Sequence, residues 1–236
     1  MKVRTLASVL LVMFPAVAIA QSRVPGVTDT EIVIGLTAPL SGPAAIYGNL
    51  AFAKEAWARY VNDSGGVHGR KLKVVLKDDG FNPTRAVANL REMKDSVFLT
   101  AGLVGSAVVN AAKDEIAEAR LPLVNAYASP QTWARQPRDK LRYVFIDYPD
   151  YADEADYLVT YSVTKLGAQK LAVFYQNDDW GKEVMDGVSR AMKTLGAKAT
   201  LAVAVPYEVS DRELGRQAVK FKESGADTLF LAALNT

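Results

Sequence analysis

Eight short apolar segments alternate with stretches whose apolar residues recur at helical spacing, and this alternation runs from residue 32 to residue 233. Strands and helices alternating at this spacing predict a parallel α/β fold with right-handed crossovers. A single eight-stranded barrel has the same element order, but we rank it second because the strand exits contain no concentration of catalytic side chains. The predicted strands are residues 32–36, 72–77, 97–101, 121–124, 143–146, 171–175, 200–205 and 228–233.

An irregular segment, residues 126–141, interrupts the alternation with Pro130, Pro137 and mixed charge. Four predicted strands precede this segment and four follow it. We therefore predict a domain boundary here, with an N-terminal lobe over residues 28–141 and a second lobe over residues 142–236.

The first twenty residues have the pattern of a secretory signal peptide. Lys2 and Arg4 precede an apolar run over residues 6–19, and small residues near Ala20 predict cleavage after it. The run is too short for a stable spanning helix, and no later segment approaches about 18 uninterrupted apolar residues. We expect an exported protein of the bacterial periplasm that is not inserted in a membrane after cleavage.

Charge and cysteine content exclude several classes of protein. The formal net charge of +2 falls to near zero once Lys2 and Arg4 are removed, and no basic block indicates a nucleic acid or an anionic membrane as partner. The chain has no cysteine, which excludes a disulfide framework, a thiolate zinc site and a cysteine nucleophile.

The sequence also lacks the familiar motifs of nucleotide binding and hydrolysis. Neither G-x-G-x-x-G nor G-x-x-x-x-G-K-[ST] occurs, and no G-x-S-x-G elbow is present. The single histidine, His68, lies in a glycine-rich turn and is expected to be solvated. We predict no catalytic residue, no metal site and no cofactor. Three pairs of adjacent acids are interpreted as loop and cap charges, because neighbours in sequence rarely face one another: Asp78-Asp79, Asp153-Glu154 and Asp178-Asp179.

Two strand-to-helix corners lie about one βα unit apart in the middle of the chain. The first turns through Gly102 and Gly105 into Ser106, where helical spacing begins. Unpaired backbone N–H groups and the positive end of a helix dipole stabilise a carboxylate or phosphate there, although serine is also a common cap of helices that bind only water. The second corner covers residues 125–130. Consecutive strands of an open parallel sheet often deliver their carboxyl ends to one crevice, so both corners are predicted to border a ligand site.

Several of these segments together resemble the periplasmic solute-binding proteins of the branched-chain amino acid and amide type, which feed ATP-driven (ABC) importers. The resemblance covers essentially residues 30–236 and is most specific in NDSGGVHGRKLKVVLKDDGFNPTRAV, with further likeness in IGLTAPLSGPAAIYG and QNDDWGKEV. It implies the type I periplasmic binding fold, with two Rossmann-like, doubly wound lobes that close on a small solute. Members of this family continue well beyond the length seen here, so it also implies a C-terminal truncation that leaves the second lobe incomplete.

The resemblance assigns roles to residues at the strand exits. The positions matching Ser106, Ala128 and Ser129 hold the carboxylate and ammonium groups of an amino acid, those matching Tyr47 and Trp180 line the pocket, and Gly105 adjoins the first of them. One departure is Tyr127, which stands where the family often has glycine and would narrow the pocket or form part of its wall. The candidate ligand-binding residues, including two further aromatic residues of the second lobe, are Tyr47, Gly105, Ser106, Ala128, Ser129, Tyr148, Tyr151 and Trp180.

The expected function is capture of a small carboxylate-bearing solute for a membrane permease, without catalysis. Two alternatives from other classes stay open at this point. One is an exported α/β hydrolytic enzyme that uses the acid pairs, and the other is the ligand-binding domain of a sensor.

Overall fold

The computed structural model describes residues 24–134 and 136–234. The predicted signal peptide lies outside the described residues. Within them the predicted alternation of strands and helices is confirmed. The strands are β1 (Glu31–Ala38), β2 (Lys71–Asp78), β3 (Leu99–Ala101), β4 (Leu123–Val124), β5 (Val144–Phe145), β6 (Lys170–Gln176), β7 (Thr200–Tyr207) and β8 (Thr228–Ala232), and the α-helices are α1 (Asn49–Asp63), α2 (Pro83–Met93), α3 (Ser106–Glu118), α4 (Gln131–Ala134), α5 (Arg138–Leu141), α6 (Tyr151–Leu166), α7 (Asp179–Leu195) and α8 (Gly215–Ser224).

The first five strands form one parallel sheet in the order β2-β1-β3-β4-β5. Helix α1 covers one face, where Ala51 packs with Leu36 and Ala38. Helices α2 and α3 cover the other face, where Leu90 and Ile116 belong to a larger buried cluster. Both faces of a parallel sheet need such cover, because its strands are apolar on both sides. We call this sheet with α1 to α5 the first lobe.

The last three strands form a second parallel sheet in the order β7-β6-β8. Helices α6 and α7 pack on one face around Val159, Leu171 and Val188, which are fully buried. Helix α8 packs on the other face, where the rings of Phe221 and Phe174 meet edge to face with centroids 5.8 Å apart. We call this sheet with α6 to α8 the second lobe.

The strands form two separate sheets, so the alternative of a single barrel is wrong. The first sheet has five strands and the second has three, whereas the sequence predicts four strands in each lobe. The fifth strand is placed wrongly by a boundary at residue 141, because Val144 and Phe145 pair with Leu123 and Val124 of β4. The physical reason is that β4 and β5 are only two residues long, too short for sequence pattern to show which sheet they join. The chain passes from the first sheet to the second after Phe145.

Each sheet reverses its direction of growth beside its first strand. In the first sheet β1 lies between β2 and β3, and in the second sheet β6 lies between β7 and β8. At such a point the helices that follow two adjacent strands depart to opposite faces, as α1 after β1 and α3 after β3 do, and this leaves a crevice at the carboxyl ends. Among the described residues, no helix is both long enough and apolar enough to cross a lipid bilayer.

Candidate functional site

A cleft of about 440 Å³ lies where the two crevices face each other. Its walls come from the exits of all five strands of the first lobe and of β6 and β8 of the second, so both lobes contribute to it. Six of the eight predicted site residues line this cleft, namely Tyr47, Gly105, Ser106, Tyr148, Tyr151 and Trp180. The other described lining residues are Leu50, Phe81, Val104, Tyr127, Glu154, Gln176, Asp178, Ala233 and Leu234.

Gly105 shapes the first-lobe corner of the cleft. Its φ of 99° lies in the left-handed region that favours glycine, and a Cβ there would lie 2.8 Å from the Phe81 ring. Its N–H donates to the carbonyl oxygen of Tyr127 at 2.9 Å, and this hydrogen bond joins the two corners. Gly105 therefore contributes shape to the cleft, while hydrogen-bond donors for a solute must come from the residues that follow it.

Those residues are the first turn of α3, which begins at Ser106 as predicted. The first N–H groups of a helix have no partner within it, and no side chain caps α3. By contrast, α2, α6 and α7 are capped by the side chains of Asn82, Asp150 and Asp178. The Ser106 side chain is buried at the cleft wall, and its Oγ accepts only a long hydrogen bond, 3.4 Å, from the N–H of Ser129. This corner is thus suited to an anionic oxygen atom.

Ala128 and Ser129 are not among the residues that line the cleft. Both are fully buried beneath the second corner, and the Ser129 hydroxyl donates to Glu183 of α7 while accepting from the N–H of Gln131 at 3.0 Å. Their neighbour Tyr127 takes the position at the cleft, which confirms that its ring forms part of the wall. The second corner therefore meets the cleft through Tyr127 and not through the two smaller residues that follow it.

Four aromatic rings make a continuous wall that crosses from the first lobe to the second. Tyr127 meets Tyr148 with ring centroids 5.9 Å apart, Tyr148 meets Tyr151 at 5.5 Å, and Tyr151 meets Trp180 at 5.9 Å. All three contacts are tilted or edge-on, the arrangements that aromatic quadrupoles favour. Burial raises the pKa of the Tyr127 and Tyr151 hydroxyls, so the uncharged form of both is favoured.

Lys54 of α1 supports this wall from behind. Its Nζ lies 4.8 Å from the centroid of the Tyr127 ring, and it reaches this place over Gly102, where any side chain would collide with it. Burial lowers the pKa of Lys54 to about 8, although the nearby Asp147 carboxylate favours the charged form.

A hydrogen-bonded network forms the floor of the cleft in the second lobe. Gln176 donates to Asp178 at 2.6 Å and accepts from the Tyr207 hydroxyl at 3.2 Å. The same hydroxyl accepts from the N–H of Leu234 at 2.7 Å, which fixes the segment after β8 against the cleft. Burial raises the pKa of Asp178, while the N–H of Gly181 and the Gln176 amide favour its charged form.

The charged side chains that line the cleft all belong to the second lobe. The described lining includes two carboxylic acids, Glu154 and Asp178, both of the second lobe, and no basic side chain. The uncapped helix terminus of the first lobe stands opposite them. The cleft therefore offers a positive pole on the first lobe and negative groups on the second.

Asp78 and Asp79 act as loop charges and Asp178 caps α7, as predicted, whereas Glu154 and Asp178 also line the cleft. Asp78 accepts from the N–H groups of Leu40 and Gly80, both at 2.8 Å, and so holds the β1 exit loop. Asp79 is fully buried and accepts from Thr37 Oγ1 at 3.0 Å. Asp153 pairs with Arg190 at 2.7 Å on the surface.

Sequence reasoning missed several cleft residues. Phe81 follows the paired acids in a left-handed conformation, φ 61°, with its N–H on Asp79 Oδ1. The sequence could have indicated this residue, because the second predicted strand ends at these acids and the strand exits of this sheet face the cleft. Glu154, Gln176 and Asp178 also lie at predicted strand exits or helix starts, where the acids were interpreted only as cap charges.

A model of the periplasmic binding protein family matches residues 31–236. The chain belongs to this family. An amino acid binding protein of Pseudomonas aeruginosa is 24% identical to it over 230 residues, and the Leu/Ile/Val-binding protein of Escherichia coli is 26% identical over 207 residues. These matches cover 92% and 85% of this chain but only 59% and 54% of the relatives, so the chain spans little more than half the length of the curated relatives it matches.

The fold comparison agrees. The fatty acid ABC transporter substrate-binding protein of Thermomonospora curvata superimposes with a TM-score of 0.78 at 25% identity, covering 88% of this chain and 52% of that one. The type I periplasmic binding fold that the sequence resemblance implied is thereby confirmed, and each of these relatives is named as a binding protein.

Proposed function

We propose that this protein captures a small carboxylate-bearing solute, an amino acid or a related compound, outside the cytoplasm and delivers it to an ABC-type membrane importer. The observation that carries the proposal is the uncapped N-terminus of α3, with Ser106, at the wall of an aromatic cleft between two lobes. The N–H groups of this turn and the Ser106 hydroxyl would hold the carboxylate.

The names of the relatives support a carboxylate as the common group. One relative is named for amino acids, one for leucine, isoleucine and valine, and the structural neighbour for fatty acids. The carboxylate is the polar group that these compounds share, and the positive pole of the cleft would receive it.

The rest of the cleft favours an apolar or aromatic solute body with a positive group toward the second lobe. Four contacting rings provide a flat apolar surface, and Glu154 and Asp178 would attract an ammonium group. A second carboxylate would meet these acids without a basic side chain to balance it. We therefore expect leucine or phenylalanine to bind more tightly than glutamate.

Isothermal titration of the mature chain with L-leucine, L-phenylalanine, L-glutamate and octanoate tests the proposal. Ser106→Ala should weaken the tightest of these interactions by about tenfold to a hundredfold, because a charged oxygen in a closed cleft loses a hydrogen bond. Ser189→Ala, which removes only a hydrogen bond to a carbonyl within α7, is the matched control and should change nothing. Equal affinities of Ser106→Ala and the parent protein would contradict the assignment of this corner.

Two further measurements address the fate of the solute. Nuclear magnetic resonance of the titrated mixture should recover it unchanged, and appearance of a new product would favour the hydrolytic alternative. Deletion of the gene in its host should lower uptake of the labelled solute, and normal uptake would oppose the delivery role.

A further inference from the structure

Two hydrogen bonds join the first lobe to α7 outside the cleft. On the first lobe the donors are Asn110, in the second turn of α3, and Ser129, in the second corner. On the second lobe the acceptors are Asp179 and Glu183, which lie four residues apart and hence on one face of α7. None of the four residues lines the cleft.

The Asn110 amide is oriented for this contact. Its Oδ1 accepts from Lys113 Nζ at 2.6 Å, which turns its Nδ2 toward Asp179 Oδ2 at 2.9 Å. An amide offers one acceptor oxygen and one donor nitrogen, so an oxygen fixed on a cation leaves the nitrogen to face a carboxylate. The contact is therefore charge-assisted and directional.

The Ser129 hydroxyl is oriented in the same way. It accepts from the N–H of Gln131, and its single hydrogen atom is then directed to Glu183. Both contacts thus pair a neutral donor of the first lobe with a carboxylate of the second.

The surroundings allow these contacts to open and close. Asn110, Asp179 and Glu183 line a separate polar groove of about 430 Å³. Asn110, Asp179 and Glu183 are partly exposed, so water can replace the contacts when the lobes separate. A contact of this kind makes a modest contribution, which suits a reversible closure.

We propose that Asn110, Ser129, Asp179 and Glu183 form an interlobe latch that stabilises the arrangement in which the cleft is assembled. These are positioning residues, because they would set solute affinity through the equilibrium between closed and open lobes and not by touching the solute. The inference rests on the proposed function for its effect on affinity, but the closure itself can be measured without any solute.

A charge exchange tests the latch through one pair. Asn110→Asp places two carboxylates at the position of the hydrogen bond. Asp179→Asn leaves an amide that can turn its oxygen atom toward Asn110. The double variant again pairs an amide donor with a carboxylate, but with the donor on the second lobe and the carboxylate on the first. Because the chain has no cysteine, Arg59→Cys on α1 and Lys165→Cys on α6, both exposed, accept spin labels specifically in every variant. The distance between the labels reports the separation of the lobes.

For Asn110→Asp we expect a longer or broader label distance without solute and an affinity for L-leucine about tenfold lower or more. Asp179→Asn should change affinity by less than about threefold, and the double variant should return both readouts close to those of the parent protein. A role confined to folding would not be rescued by the exchange.

An unchanged label distance in Asn110→Asp would overturn the latch, and so would a double variant no better than the worse single one. If Asn110→Asp does not fold, Asn110→Ala removes the donor without adding charge and should still lengthen the distance. If the parent protein does not bind L-leucine, the proposed function fails for that solute, whereas the label distances still decide the latch.

Discussion

Lys54 gives a prediction whose size and sign follow from its surroundings. Replacing it by methionine keeps an unbranched side chain over Gly102 and removes a charge that burial disfavours. A fall of the pKa from 10.5 to about 8, at about 1.4 kcal/mol per pKa unit, sets a ceiling of about 3 kcal/mol on that cost. Lys54 is partly exposed, so we halve this to about 1.5 kcal/mol for solvent screening. Loss of the cation–π contact with Tyr127 lowers this gain in stability by about 0.5 kcal/mol.

Lys54→Met should therefore raise the free energy of unfolding by about 1 kcal/mol at pH 7. The gain must depend on pH. Between about pH 8 and the unfolded value of 10.5, the unfolded chain holds a proton on Lys54 that the folded chain has lost, so the parent protein becomes more stable as the pH rises. The advantage of the variant should shrink across this window.

Urea denaturation of both proteins from pH 7 to pH 10.5 measures the difference directly, since titrations that both proteins share cancel. The charged and titratable groups beside Lys54 are Asp147, whose carboxylate favours the charged lysine, and Tyr127, whose pKa burial raises. Lys193→Met on the exposed side of α7 controls for the loss of one positive charge. A stability difference that stays constant over this pH range would refute the argument.

Further predictions concern the cleft itself. Gly105→Ala should destabilise the fold by about 1 to 3 kcal/mol and weaken solute binding, because it combines a left-handed φ with a contact of 2.8 Å to Phe81. Gly167→Ala shares the left-handed φ, 78°, but has open space around it, so equal losses of thermal stability in both variants would contradict a role for the Phe81 contact. Closure over a solute should change the fluorescence of Trp180, and Trp180→Ala should abolish that change. Persistence of the whole signal would assign it to Trp57 or Trp133 instead.

The alternation of strands and helices was predictable because burial on both sheet faces imposes continuous apolar runs on strands such as β6. The start of α3 at Ser106 was predictable as well, because glycines that end a strand and are followed by apolar residues at helical spacing indicate the beginning of a helix. The place of β5 could not be predicted, because two residues carry no periodicity and only pairing with β4 assigns them.

The elements that form the inner wall of the cleft were predictable, but the side chains that face it were predictable only in part. Strand exits are visible in sequence, yet which residue of an exit turns inward depends on packing between distant segments. Tyr127 faces the cleft over Lys54, whereas Ser129, two residues later, points to Glu183 of the other lobe. Neither partner is near in sequence, so no local sequence pattern predicts which of the two side chains faces the cleft.

The passage from Phe145 to α6 has a mechanical consequence. Among the described residues, the backbone crosses from one sheet to the other once, through a short link that contains Pro149. A single link limits the distance between two rigid bodies but leaves twist and bending about it unspecified, whereas two separated links would define an axis. At this crossing the backbone alone leaves the direction of a lobe movement open, so we expect the non-covalent contacts away from the link, such as those of Asn110 and Ser129 with α7, to influence it.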